Sequence, residues 1–262
     1  MKEITEIQSI SFVGSGNVAT HLAHAFQSAN LHIHEVYSPH HSHALDFARK
    51  FNCVSRKSIQ QLSSDVDLML LCVPDSQIIK VSESISPGRA IVAHTSGIEP
   101  LDSLSDKIRQ TGVFYPLQTF SKDRKVDFGV VPLCIEGNQA STSELLTQLA
   151  YKLSNKVVAI SSPERAMLHL TAVMVNNFSN KLYGMAHEIL ERNHLDFNLL
   201  LPLIQETAHK MEEMNPEEAQ TGPARRNDEN TISRHHEMLK EFPQYQQLYQ
   251  LITDQIIKKH HE

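Results

Sequence analysis

Four groups of residues have types and spacings that suit chemistry. The first is Gly14-Ser15-Gly16-Asn17-Val18-Ala19, which follows the apolar run Ser9–Val13 and opens an apolar helical stretch over residues 20–29. Gly14 allows a tight turn, Gly16 lets an anion approach the backbone, and Ala19 is small enough for helix to pack on strand. Free amides at the helix start, around Asn17 and Val18, would meet the anion. A G-x-G-x-x-A set between strand and helix suits the pyrophosphate of a dinucleotide, with Ser15 inside the turn. The plainer alternative is a glycine turn with no ligand.

The second group, His94-Thr95-Ser96-Gly97, closes another apolar run. His94 and Ser96 could handle a proton or hold a carbonyl. The third lies on a long helical stretch, where His169, Asn176, Asn177 and Asn180 recur at helical spacing. Buried asparagines need partners. Asn177 and Asn180 share a face and suit a substrate or cofactor amide, whereas His169 alone reads as a core histidine. The fourth is Thr221-Gly222-Pro223-Ala224-Arg225-Arg226-Asn227-Asp228, with Thr231 and His235 beyond it. Arg226 can clamp a carboxylate or phosphate, and Asp228 can cap the helix that follows.

The elements that position these groups follow from periodicity. Short apolar runs alternate with helical stretches through the first 160 residues, the mark of a parallel sheet with crossover helices. Strands are expected at 9–13, 32–37, 52–54, 68–73, 90–93, 112–115, 130–135 and 156–160, with helices near 42–51 and 141–153. The run Leu68-Met69-Leu70-Leu71-Cys72-Val73 is apolar throughout, as in a strand buried on both faces. Val73 and Pro74 at its end would pack against a ligand on the first turn, while Asp75 reads most simply as a helix cap. From Ser162 the pattern turns helical, with Ser162 as cap and Pro163 at the first helical position. One helix should run to about Asn193, roughly 40 Å at 1.5 Å per residue. Further helices are expected at 197–214, 227–240 and 244–259, with a loop at 215–226. The organisation is therefore α/β, a parallel-sheet domain over 1–160 and an all-helical domain over 161–262.

The end of the second strand bears on NAD against NADP. An acidic residue there reads a ribose 2′-hydroxyl, and a nearby arginine reads a 2′-phosphate. Here it reads Tyr37-Ser38-Pro39-His40-His41-Ser42, with no carboxylate after Glu35 and no arginine. Ser38, Ser42 and His40 could hydrogen-bond a phosphate, which favours NADP with NAD as the alternative.

Bulk properties narrow the classes. A net charge of −6 over 262 residues argues against general nucleic-acid binding. No run has the length of a membrane span, and the N-terminus lacks a signal-peptide core. Cys53, Cys72 and Cys134 are an odd, widely spaced set that reads as reduced thiols in a cytoplasmic protein. His40-His41-Ser42-His43 is the tightest of the sixteen histidines' clusters, but neighbouring histidines diverge on a helix, so no metal site is expected.

Taken together, Gly14–Ala19, His94–Gly97, Phe114-Tyr115-Pro116-Leu117-Gln118-Thr119-Phe120, His169 through Asn177, and Thr221-Gly222-Pro223 with Arg226, Asp228, Thr231 and His235 resemble one family over nearly the whole chain. It comprises bacterial proteins with a Rossmann-like domain and a C-terminal DUF2520 domain, labelled NADP oxidoreductases of the coenzyme F420-dependent type. Nothing in this sequence ties to a deazaflavin. The resemblance extends to ketopantoate reductase, pyrroline-5-carboxylate reductase and the 3-hydroxyacid dehydrogenases. It implies an active site between the domains and a homodimer through the helices. It also implies hydride transfer between NADP and a small C=O or C=N substrate, with an anionic substrate such as a carboxylate held by Arg226. The family often carries Ser-Arg where this chain has Ser38-Pro39, and glycine where it has Asn227. A non-catalytic NAD(P)-binding sensor or interaction protein is the alternative reading.

Overall fold

The computed structural model describes residues 4–261. The chain divides into two compact units, Met1–Asn177 and Phe178–Glu262. In the first, eight strands form one sheet: β1 Ser9–Val13, β2 His32–Tyr37, β3 Val54–Arg56, β4 Leu68–Leu71, β5 Ile91–His94, β6 Thr111–Pro116, β7 Leu133–Gly137 and β8 Val157–Ala159. Their order is β3-β2-β1-β4-β5-β6-β7-β8. Pairing is parallel from β3 to β6, antiparallel between β6 and β7, and parallel again between β7 and β8. The order in which successive strands are added reverses at β1, whose neighbours are β2 and β4, so the carboxyl end of β1 is a switch point where ligands of such sheets bind.

Strand β4 shows how the sheet feeds two cores. All four of its residues are buried. Leu68 and Leu70 join Phe12, Leu22, Phe26 and Phe114 on one face, and Met69 and Leu71 join Ile78, Val92 and Leu104 on the other. Alternation along a strand sends successive side chains to opposite faces, so an unbroken apolar run requires cover on both. The helices supply it: α1 Asn17–Ser28, α2 His41–Phe51, α3 Ile78–Ser84 and α4 Ala140–Tyr151.

Several boundaries differ from the sequence expectation. The third strand is Val54–Arg56 rather than 52–54, because Asn52 takes a left-handed conformation (φ 52°) that ends α2. The seventh begins at Leu133, since Phe128–Val130 forms a 3₁₀ turn capped by the Asp127 carboxylate, which accepts from the Gly129 amide. Ser161, not Ser162, caps α5 Ser162–Ala172: the Glu164 carboxylate accepts from the Ser161 amide at 2.9 Å. The long helix is also not uniform. A π-helical segment, Val173–Phe178, separates α5 from α6 Ser179–Arg192.

The second unit contains α6, α7 Leu201–Glu213, α8 Pro216–Ala219, α9 Glu229–Met238 and α10 Pro243–His261. Its buried cluster is small, built on Met185, Phe242 and Tyr245. Lys181 lies over the Tyr245 ring at 5.7 Å, and the Tyr245 hydroxyl donates to Glu188. No helix among the described residues is long and apolar enough to cross a membrane.

Candidate active site

The site is built upward from the glycine turn. The Gly14 amide donates to the Tyr37 carbonyl at 2.8 Å, which ties the end of β1 to the end of β2. Gly14 has φ 105°, and a Cβ there would stand 2.1 Å from the Cys72 carbonyl oxygen. Both constraints exclude any other residue. At Gly16 a Cβ would meet nothing within 4 Å, so the backbone faces open space. Gly16 precedes α1 without a side-chain cap, and the first turn of α1 has no acidic residue. The amides of Asn17 and Val18 thus stand at an uncapped helix start, where the macrodipole favours an anion. The Asn17 side chain donates to the Phe120 carbonyl at 3.0 Å, and His21 Nε2 lies 2.9 Å from the Ser121 carbonyl. The segment after β6 therefore lies along α1 beside the turn.

Other expected site residues lie along the same carboxyl edge. Ser38 is buried and His40 exposed just beyond β2; Val73 is half-buried and Pro74 exposed just beyond β4. Asp75 is the first residue of a 3₁₀ turn, with Pro74 before it as the cap. His94 ends β5, in register with Leu71 of β4 and Val113 of β6.

His94 is fully buried. Its Nδ1 accepts from the Ser96 amide at 3.2 Å, which leaves the proton on Nε2, and Nε2 makes no hydrogen bond. Burial lowers its pKa to about 4, and the Arg165 guanidinium adds to this. His94 is therefore a neutral ring at pH 7. Ser96 is also buried, and its hydroxyl accepts from the Ile98 and Glu99 amides at 3.2 and 3.0 Å. The two side chains shape the turn after β5.

That turn rests on a buried charge network. Arg165 of α5 is wholly buried; it donates to the Glu136 carboxylate and to the Glu99 carbonyl. Glu136 also accepts from the Ser162 amide at 3.0 Å and the Ser162 hydroxyl at 2.7 Å, and that hydroxyl accepts from the Leu101 amide at 2.9 Å. Strand β7, the start of α5 and the loop after His94 are thereby locked together.

One pair escaped the sequence reading. The Tyr115 hydroxyl and His169 Nδ1 share a hydrogen bond at 3.1 Å. Tyr115 is near the carboxyl end of β6 and His169 is on α5; both are half-buried. A Cβ on Gly97 would come within 2.5 Å of His169 Nδ1 and 2.8 Å of the Tyr115 ring. The glycine thus lets the turn after β5 pack on the pair. Burial is the main cause that raises the Tyr115 pKa to about 12, so its hydroxyl keeps its hydrogen at neutral pH. The aromatic run around Tyr115 was the available signal, but one strand residue and one helix residue 54 apart carry no mark of contact.

The asparagines differ from expectation. Asn176, Asn177 and Asn180 are all exposed, so no buried amide calls for a partner. Asn176 and Asn177 lie within the π-helical segment, a distortion that recurs at functional sites. In the second unit, Arg226 is exposed at the end of a 3₁₀ turn, and Asn227 follows with φ 52°. Asp228 caps α9: it accepts from the Thr231 amide at 3.1 Å and hydroxyl at 2.7 Å, and these bonds lead the lowering of its pKa. His235 Nδ1 lies 2.9 Å from the Tyr249 hydroxyl.

Comparison with known proteins agrees with this architecture. Residues 4–118 match the model of the Rossmann-like domain, and residues 131–256 match DUF2520, a domain of unknown function. A Bacteroides fragilis protein, named provisionally as an NADP oxidoreductase, is 37% identical, with a TM-score of 0.91 over 96% of this chain and 98% of that one. A Thermotoga maritima protein is 21% identical, with a TM-score of 0.78 over 95% and 99% of the two chains. The 1-pyrroline-5-carboxylate reductase of Streptococcus pyogenes is 12% identical, with a TM-score of 0.59 over 95% and 98%. The last two likenesses are of fold alone. No curated protein matches in sequence. The chain belongs to the family that joins a Rossmann-like domain to a DUF2520 domain.

Proposed function

We propose that the protein is an NADP-dependent oxidoreductase acting on a small C=O or C=N substrate. The observation that carries this reading is the glycine turn. Gly14 is conformationally obligatory, Gly16 is open, and an uncapped helix start stands at the switch point of the sheet. The name of the Bacteroides fragilis relative supports the same reading. When bound, the nicotinamide supplies or accepts a hydride.

The chain's own residues have separable tasks. Gly14, Ser15, Gly16, Asn17 and Val18 hold the pyrophosphate; Ser38 and His40 lie toward the adenosine side; Val73 and Pro74 form a wall. Neutral His94 and Ser96 shape the turn after β5. The Tyr115 hydroxyl, positioned by His169, holds the proton for the substrate heteroatom. Asn177 takes an amide or substrate contact, and Arg226 binds an anionic group such as a carboxylate.

The protein acts as a homodimer in this reading. Met167, Leu170, Met174 and Val175 in the first unit, and Leu199 and Leu203 in the second, are each more than half exposed, and a partner surface would bury such residues. The three free cysteines suit a reducing cytoplasm.

Calorimetric titration with NADPH, and separately with NADH, tests the reading. Binding of NADPH is expected, followed by its oxidation with glyoxylate or 1-pyrroline-5-carboxylate as the acceptor. Tyr115→Phe should then lower kcat by about 10²-fold without altering NADPH affinity. A folded protein that binds neither nucleotide would overturn the assignment.

A further inference from the structure

We infer that Arg56 selects a dinucleotide carrying a 2′-phosphate, an assignment that rests on the dinucleotide reading above. Residues 37–42, where an arginine for that phosphate is sought in sequence, contain none. The sheet brings one in from the next strand. Strand β3 runs parallel to β2, with Arg56 in register with Tyr37, and each is the last residue of its strand. Neighbouring strands lie about 4.8 Å apart, so Arg56 stands beside the strand end that faces the adenosine ribose in sheets of this order.

Glu35 explains both why the site is not built for NAD and how Arg56 is held. Its carboxylate is fully buried. It accepts from the Ser11 hydroxyl at 3.2 Å, from the Ser63 amide at 2.6 Å and from Arg56 Nε. A carboxylate so placed is turned into the protein and saturated, so it is not available to a ribose 2′-hydroxyl. Its grip on Nε fixes one edge of the guanidinium. The two terminal nitrogens of Arg56 have no hydrogen-bond partner among the described residues, and 32% of the side chain is exposed. A planar fork with its Nε edge anchored and its Nη donors free matches the geometry by which arginine binds phosphate. Because Glu35 offsets much of the charge of Arg56, recognition depends on directed hydrogen bonds rather than on a general positive field. Ser38, buried at the end of β2, is a second donor at the same strand end.

The test compares dissociation constants for NADPH and NADH by calorimetry, in wild type and in Arg56→Gln. Wild type should bind NADPH at least tenfold more tightly than NADH. Arg56→Gln should bring the two within threefold of each other, with the NADH constant itself changed less than threefold. Removing the arginine leaves Glu35 buried without its cation, so the double variant Glu35→Gln with Arg56→Gln is measured alongside as a neutral pair, and circular dichroism melts verify folding. Preference for NADPH that survives in either folded variant overturns the assignment, as does a wild type that binds both nucleotides equally or prefers NADH. A wild type that binds neither nucleotide sinks the dinucleotide reading itself, which is a separate and recognisable failure.

Discussion

At the scale of single residues, His94 illustrates how burial reassigns a side chain that looks reactive in sequence. A histidine at the carboxyl end of a parallel strand suits proton transfer, yet this ring is sealed off and neutral. The consequence is a pH dependence of stability. The unfolded chain takes up a proton on His94 below pH 6.5, while the folded protein refuses it until about pH 4. Stability should therefore be full above pH 6.5 and fall as pH drops toward 4, by up to about 3 kcal/mol from this group. Urea unfolding followed from pH 7 to pH 4.5 should show that decline, and His94→Asn should flatten it. An unchanged slope in the variant would assign the acid sensitivity to other groups. Tyr115 and His169 are the opposite case: each looks ordinary alone, and only their 3.1 Å contact suggests chemistry.

At the scale of elements, two junctions hold the carboxyl edge in place. The first is the β1–α1 turn. Gly14→Ala would force a side chain into the Cys72 carbonyl at a backbone angle that L-residues avoid. It should lower stability by about 1–3 kcal/mol for the strained conformation alone, with loss of NADPH binding, read by thermal melts and calorimetry. Gly16→Ala, whose Cβ meets no protein atom, should melt near wild type and still weaken nucleotide binding. The second junction is the Arg165–Glu136–Ser162 network that pins α5 to β7 and to the loop after β5. Glu136→Ala strands a fully buried guanidinium and should cost about 3–5 kcal/mol, measured by chemical denaturation. A loss below 1 kcal/mol would show that the network is not structurally important.

At the scale of the whole molecule, the two units differ in how well each buries its own apolar residues. The first carries two large clusters, one on each face of the sheet. The second buries Met185, Phe242 and Tyr245 with few neighbours and leaves Leu199, Leu203 and Leu251 exposed. A chain of 29.6 kDa with that surface should appear in multi-angle light scattering at twice its own mass. Leu199→Glu with Leu203→Glu should shift the mass toward the monomer without unfolding the sheet unit. A wild type that stays monomeric at tens of micromolar would remove the homodimer.

Much of this architecture was legible from local patterning. Strand β4 announced itself as a central strand, because four successive apolar residues can only be covered on both faces. The β1–α1 turn was equally plain, because a left-handed glycine and a cap-free helix start are local demands. Asp228 was legible as a cap because its partner is Thr231, three residues on. Other features depended on contacts between residues far apart in the chain. The antiparallel turn of β7, the neutrality of His94, the pairing of Tyr115 with His169 and the placement of Arg56 beside Tyr37 all belong to this group. Strand register and desolvation are set by segments tens of residues away, and neither leaves a periodic trace. Residues 37–42 contain no arginine or lysine; the order of the sheet sets Arg56 beside them, in register with Tyr37.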